Sequence, residues 1–198
     1  MGELDDAINE AAARAHESRL NSLIAVMVAV VATFMALCNI KDGNVGQSMA
    51  QAQSKAVDAW SYYQAKSVKE SLAEAGRDQL SAFRLTLTTR TAERDALDAQ
   101  IADYQKQADR YEKEKADIKR EAEGDEQTYN ELNIHDDQFD LSEASFSVVI
   151  ALLGVTALTQ KRWLLGVVAA FLLIGFVFGV AGFFEWPLHP SLIMSWLS

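Results

Sequence analysis

Cysteine, proline and glycine are scarce in this 198-residue sequence, and each shortage excludes a class of structure. The single cysteine, Cys38, cannot form an internal disulfide, so the chain is not a disulfide-bonded scaffold. Both prolines lie close to the C-terminus, and Gly76 is the only glycine between Met49 and Glu123. Because proline and glycine are the residues that most often end a helix, their scarcity favours long helices.

Sequence patterns that carry catalysis are also absent. The sequence has no Ser-His-Asp set, no glycine-rich phosphate loop and no H-E-x-x-H pattern. Its long apolar segments have no ionisable residue near their centres, where ion-coupled carriers usually need one. The net charge of −10 repels nucleic acid phosphates. We therefore predict that the protein is not an enzyme and has no cofactor, no metal centre and no nucleic acid partner.

Charged residues are nearly missing from two stretches of the chain, which indicates membrane spans. The first stretch covers residues 20–40, and the second covers residues 141–184 with a polar interruption at 160–162. A helix of about 20 apolar residues crosses the hydrocarbon core of a bilayer. The sequence thus predicts transmembrane helices at 20–40, 141–159 and 163–184, joined at 160–162 by a basic turn.

The basic turn also predicts an orientation. Lys161 and Arg162 have no basic counterpart in the 20 residues before the second span or anywhere after the third. Positive charge in short loops favours the cytoplasmic side. We therefore expect the turn and the acidic N-terminal helical segment 1–19 in the cytoplasm. The domain 41–140 would then be periplasmic, and the tail 185–198 would lie at the membrane interface on that same periplasmic side.

The stretch between the first two spans is acidic and favours helix. Residues 41–140 hold 14 Lys and Arg against 21 Asp and Glu, a net charge of −7. Since this stretch must return to the same membrane face, a single helix is excluded. The predicted fold is all-α, an integral membrane protein with three transmembrane helices. Between spans one and two it has an extramembrane antiparallel helical hairpin that resembles a coiled coil.

Two features describe the predicted hairpin. Its apex is expected near residues 85–91, where clustered threonines weaken a helix, or alternatively at Gly76. The second arm, which returns to the membrane, has apolar residues at steps of three and four, the spacing of a coiled-coil seam. These residues are Leu97, Ile101, Tyr104, Ala108, Tyr111 and Ile118. This seam could pair with the first arm or with another subunit. Residues 124–140 are polar and are predicted to form a linker back to the membrane.

The segment 60–69 is the strongest candidate for a contact surface. On a helix, one face has Trp60, Tyr63, Gln64 and Ser67, and a second face has Tyr62, Lys66 and Lys69. The first face suits an aromatic contact, and the second suits a lipid headgroup or an acidic partner. The simpler alternative is that Trp60 and Tyr63 pack against the returning arm while both lysines remain in solvent.

Small residues in the third span predict close helix packing. Gly175 and Gly179 form a G-x-x-x-G pair, and Gly182 lies one turn further along. This stripe could join subunits or could pack against the other spans of the same chain. Metal-type side chains also occur in the approach to the second span, at 135–143. Hard divalent cations accept carboxylates in many arrangements, but a loop rich in acidic residues usually serves only solubility, so we interpret these residues as a solvated loop.

Two short motifs resemble those of a known family. They are WSYYQAKSVK at residues 60–69 and ALTQKRWLL at residues 157–165. Together with the order of the spans, they resemble the bacterial membrane-protein family called domain of unknown function 4337. The resemblance covers most of the chain and implies a bacterial inner-membrane protein without an established activity.

These observations favour an interaction protein over a catalyst. We predict a membrane-anchored interaction or scaffold protein that forms a homo-oligomer and contacts membrane lipid. A second membrane protein is a further candidate partner. The alternative is a pore-forming or accessory subunit of a transport complex. In that case polar residues of the spans, such as Thr33, Asn39 and Thr156, would face one another.

Overall fold

Three helices account for nearly all of the chain that the structure describes. The structure is a computed structural model that describes residues 2–86 and 91–189, with side chains at 19–86 and 92–189. Helix α1 is Gly2–Thr86, α2 is Thr91–Thr159 and α3 is Leu164–Phe183. No strand occurs among these residues, and each helix contains a stretch long and apolar enough to cross a membrane.

The predicted spans are parts of much longer helices. Helix α1 continues for 85 residues from the N-terminal segment through the first predicted span to Thr86. The polar stretch 124–140, predicted as a linker, is instead helical and belongs to the 69 residues of α2. A lone glycine such as Gly124 costs a helix only about 1 kcal/mol. Buried Gln138 and Phe139 also anchor this stretch, so the linker prediction is wrong.

The ends of the helices bear on two other predictions. Gly76 lies inside α1, so the alternative apex at Gly76 is excluded. The other predicted apex, 85–91, includes residues 87–90, which lie outside the described residues. Helices α2 and α3 are separated by the predicted basic turn, where Gln160 has a φ of 55°. Its side-chain amide donates a hydrogen bond to Asn21 Oδ1 at 3.1 Å.

The chain divides into two compact units, and the first contains the apolar stretches. It comprises Met1–Ser48 and Glu131–Ser198. Its core is formed by Leu20, Ile24, Val31, Phe146, Val149, Leu153 and Val168. Phe34 stacks on Phe176 at 4.5 Å between ring centroids and meets Phe146 edge-on at 5.5 Å. Large apolar side chains also cover the outward faces of this unit, a surface that suits lipid.

The second unit, Met49–Asn130, is held together by contacts between α1 and α2. These contacts are Trp60 with Glu126, Lys66 with Glu114, Arg77 with Gln105 and Arg84 with Asp98. Because the α2 number falls as the α1 number rises, the two segments run antiparallel. Small buried side chains, among them Ala52, Ala56, Ala73, Ala108 and Ala122, allow the helices to approach closely.

Candidate functional site

Trp60 and Tyr63, from the first predicted contact face, are held in place by contacts within the second unit. The indole Nε1 of Trp60 donates a hydrogen bond to Glu126 Oε1 at 2.7 Å. The rings of Trp60 and Tyr63 meet edge to face at 5.5 Å, and the ammonium of Lys115 lies 5.7 Å from the Tyr63 ring centroid. Both aromatic residues therefore contact the returning helix, as the simpler alternative expected.

The second predicted face is divided between a paired lysine and an exposed one. Lys66 is half-buried, forms an ion pair with Glu114 and lies 5.2 Å from the Tyr62 ring centroid. This hydrogen bond raises the pKa of Lys66 and lowers the pKa of Glu114. Lys69 is exposed. Lys66 is therefore already occupied, so the face is not a continuous basic stripe, and the expectation that both lysines remain in solvent is wrong for Lys66.

The remaining two candidates of the first face have no strong contacts of this kind. Gln64 is exposed and Ser67 is half-buried. Trp60, in contrast, borders a cavity of about 320 Å³. That cavity is lined by Gln53, Ala56, Val57 and Trp60 of α1 and by Glu126, Tyr129 and Asn130 of α2.

The glycine stripe of α3 packs against the other helices of the same chain. A Cβ atom added to Gly175 would lie 2.9 Å from the Phe146 ring, and one added to Gly182 would lie 2.7 Å from the Phe139 ring. At Gly179 it would lie 2.8 Å from the Phe34 ring. These approaches are too close for any side chain. The stripe therefore serves the internal packing, which was the second of the two alternatives.

A hydroxyl group accompanies this close packing. Ser142, on α2, is fully buried and donates a hydrogen bond to the carbonyl oxygen of Gly175 at 2.8 Å. Its Oγ also lies 4.0 Å from the Sγ of Cys38, so the lone cysteine is a buried packing residue. The hydrogen bond satisfies a polar group that would be costly to leave unpaired in an apolar environment.

The acidic approach to the second span contains a cluster of carboxyl groups. Asp42 of α1 lies near Asp136, Asp140 and Glu143 of α2. Burial and these facing carboxyl groups raise the pKa of Asp42 from 3.8 to about 6, and burial raises the pKa of Asp136 as well. In the described part of the chain, no three such side chains are placed to hold a metal.

The tail that follows α3 is tied to this region by an amide. Gln138 is fully buried, and its Nε2 donates hydrogen bonds to the carbonyl oxygens of Trp186 at 2.8 Å and Leu188 at 2.6 Å. This fixes the first part of the predicted interfacial tail. The rest of the predicted interfacial tail, 190–198, lies outside the described residues.

Comparison with known proteins places the chain in a family. The model of the family described as domain of unknown function DUF4337 matches residues 20–185. The chain belongs to this family. The match confirms the resemblance carried by the motifs at 60–69 and 157–165. Neither the curated proteins nor the solved structures include a match.

Sequence reasoning about this DUF4337 chain missed half of the cavity. Glu126 and Tyr129 fall in the stretch that was predicted as a linker, so they were not considered as contacts. A signal was present, because Ile118, Ala122, Glu126 and Tyr129 are spaced by four, four and three residues and so share one helix face. The predicted seam, which ended at Ile118, therefore continues for another three turns.

Proposed function

We propose that this DUF4337 protein is a membrane-anchored interaction protein of the bacterial inner membrane that associates with copies of itself. Three transmembrane helices would anchor it, and the second unit would be an extramembrane antiparallel hairpin that provides the contact surface. The basic turn at 160–162 favours a cytoplasmic N-terminus and a periplasmic second unit. The assigned role is to hold copies together, with no reaction of its own.

A stripe of exposed apolar side chains on α1 is the observation that supports this proposal. Val57, Val68, Leu72 and Phe83 are 58%, 68%, 70% and 55% exposed. Their spacing of 11, 4 and 11 residues keeps them on one face of a helix, because 11 residues make three turns. Exposing such a stripe to water is unfavourable, whereas a long partner helix would bury its apolar side chains.

A second copy of the chain is the occupant that fits best. Copies anchored in one membrane are confined together, and this raises their effective concentration. Each copy also provides the long helix that such a stripe requires. The glycine stripe at Gly175, Gly179 and Gly182 is occupied within the chain, so self-association through α3 has lost its support.

The alternative of a pore or an accessory transport subunit has less support. The hydroxyl of Thr33 donates to Ala29 O at 2.8 Å, and that of Thr156 donates to Leu152 O at 2.7 Å. Both groups are therefore satisfied by their own helix. Thr156 is also fully buried, so its hydroxyl is not open to a neighbouring polar side chain of another copy.

Native mass spectrometry of the full chain in detergent tests the proposal. We expect a dimer or larger assembly for the unmodified chain. The double variant Val68→Asp with Leu72→Asp should weaken association by more than tenfold, because burying each apolar side chain contributes about 1.5 to 3 kcal/mol. The control is Gln100→Asp, which adds a charge at an exposed position of α2. Equal assembly sizes for all three proteins would refute self-association through the exposed apolar stripe of α1.

A further inference from the structure

The cavity beside Trp60 combines three kinds of group that together recognise an organic cation. Two aromatic residues, Trp60 and Tyr129, line it from opposite helices. Glu126 is its only charged lining residue, while Ala56 and Val57 provide an apolar surface. Aromatic rings attract cations through their negative faces, and tryptophan does so most strongly. A carboxylate beside two such rings adds charge of the complementary sign.

The indole of Trp60 is held in a fixed position before any ligand arrives. Its Nε1 donates to Glu126 Oε1 at 2.7 Å, and its ring meets Tyr63 edge to face with an interplanar angle of 77°. A ring fixed in this way loses little conformational entropy on binding. Donation of the N–H to a carboxylate also polarises the indole and makes its face a better partner for a cation.

One segment of α2 that reaches the cavity is strongly acidic. The segment 121–126 contains Glu121, Glu123, Asp125 and Glu126. Of these, Glu123 is paired with Lys119 at 3.5 Å. An anionic ligand would be repelled here, whereas a cation would be attracted. The volume of about 320 Å³ is at the small end of ligand pockets, which suits a compact group.

Two other cavities of the described chain lack this combination. One, of about 500 Å³, is lined by Asp103, Lys106, Gln107, Asp109, Arg110 and Lys113, and so has charges of both signs and no aromatic ring. The other, of about 190 Å³, contains the ion pair between Lys41 and Glu185 at 3.6 Å. Neither cavity is lined by a tryptophan, tyrosine or phenylalanine.

We propose that the cavity between Trp60, Tyr129 and Glu126 binds an organic ammonium group, with Trp60 and Tyr129 contacting its apolar substituents and Glu126 its charge. The ammonium group belongs either to a free small molecule or to a lipid headgroup, since choline has the same chemistry in both. The site shares Val57 with the exposed apolar stripe of α1, but neither Val68 nor Leu72 lines it.

The test uses the full chain with ¹⁵N-labelled tryptophan in nanodiscs and follows the indole N–H resonance of Trp60. The other three tryptophans are internal controls. Choline chloride should move this resonance saturably, and the neutral analogue 3,3-dimethylbutanol should bind about tenfold more weakly. Equal binding of the two compounds, or no saturable shift, would overturn the proposal.

Variants separate a binding role from a merely structural one. Glu126→Gln keeps an acceptor for the indole N–H but removes the charge, and Trp60→Leu removes the aromatic face. Each should weaken choline binding about tenfold, with the loss in Trp60→Leu followed at the backbone amide of Tyr129 in uniformly ¹⁵N-labelled protein. Glu123→Gln makes the same charge change outside the cavity and should leave the affinity within about twofold. An equal loss in Glu123→Gln and Glu126→Gln would show that only net charge matters and would overturn the site.

The source of the ammonium group is distinguished by two arms. In one, nanodiscs contain only phosphatidylglycerol and receive free choline chloride. In the other, they contain phosphatidylcholine and receive no free choline. A shift of the Trp60 resonance in the first arm assigns the site to a free cation, and a shift in the second assigns it to a lipid headgroup. No shift in either arm contradicts the proposal.

Discussion

The two units of this protein bring helices together by different means. In the first unit, glycines of α3 meet phenyl rings, as Gly175 meets Phe146 and Gly182 meets Phe139. In the second unit, buried alanines form the interface, and ion pairs such as Lys115 with Glu70 lie beside it. Helices in lipid gain little from the hydrophobic effect and depend on close fit, whereas helices in water gain from apolar burial. The proposed placement of the first unit in the membrane therefore predicts that substitutions act differently in the two units.

The largest expected effect is the loss of close fit in the first unit. Gly179→Leu and Gly182→Leu each place a side chain where even a Cβ atom would lie 2.7 to 2.8 Å from a phenylalanine ring. We expect each to destabilise the chain by about 3 kcal/mol or more, because overpacking forces backbone shifts. Thermal unfolding in detergent measures this.

Gly166→Leu is the matched control for these substitutions. Gly166 lies in the same helix, but an added Cβ atom would meet nothing within 4 Å. This variant should unfold at nearly the same temperature as the unmodified chain. If all three variants lose stability equally, helix α3 does not depend on a specific close-packed face.

The next effect tests the ion pairs of the second unit. The side chains of Glu70 and Lys115 are only 15% and 19% exposed, against 53% and 51% for Glu123 and Lys119. Glu70→Gln should therefore cost about 1 kcal/mol, and Glu123→Gln less than about 0.5 kcal/mol. Circular dichroism melting at low and high salt measures both. A larger loss in Glu123→Gln than in Glu70→Gln would contradict the difference in burial.

Glycines of long helices provide a smaller and opposite effect. Gly124 of α2 has open space around it, so Gly124→Ala should stabilise the helix by about 0.5 to 1 kcal/mol. Gly76→Ala should gain less, because its Cβ atom would lie 3.0 Å from the Tyr104 ring. Melting temperatures of both variants decide the question. An equal gain would mean that Tyr104 does not constrain Gly76.

A further effect concerns pH and the carboxyl cluster of the first unit. Since the pKa of Asp42 is raised from 3.8 to about 6, the native state binds this proton more tightly than the unfolded chain. Its contribution to stability is present below pH 3.8 and is lost as pH rises through about 6. The unfolding temperature should therefore fall between about pH 4 and about pH 7.

Asp42→Asn should flatten this dependence and raise stability at neutral pH. Asp58→Asn, at an exposed position of the second unit, is the control and should leave the slope unchanged. A slope that survives Asp42→Asn intact would show that other groups carry the pH dependence.

Hydropathy made the apolar stretches of this fold predictable, but it did not show where the helices end. The charge-poor stretches at 20–40 and 141–159 lie inside α1 and α2, and the stretch at 163–184 extends one residue beyond each end of α3. Polarity was mistaken for a linker at 124–140, because a polar stretch beside a span looks the same whether it is helical or not. Helix propensity and the buried pair Gln138 and Phe139 decided the outcome there.

The candidate site was predictable only on one side. The spacing within 60–69 correctly placed Trp60 and Tyr63 on a common face, and they touch. Their partners on α2 were not predictable, since Glu126 is 66 residues from Trp60 and depends on the register of two helices. Local spacing fixes a face, but it cannot specify which residue lies opposite.

Cysteine labelling tests the membrane-anchored architecture most directly. Lys106 of the second unit and Lys161 of the basic turn are exposed and flank the apolar end of α2, while the native Cys38 is buried and is replaced by alanine as a precaution. In intact bacteria, a membrane-impermeant maleimide should label Lys106→Cys but should label Lys161→Cys only after the membrane is opened. Labelling of both positions from the same side would contradict a membrane span between them, and with it the membrane anchoring of the protein by its three apolar helices.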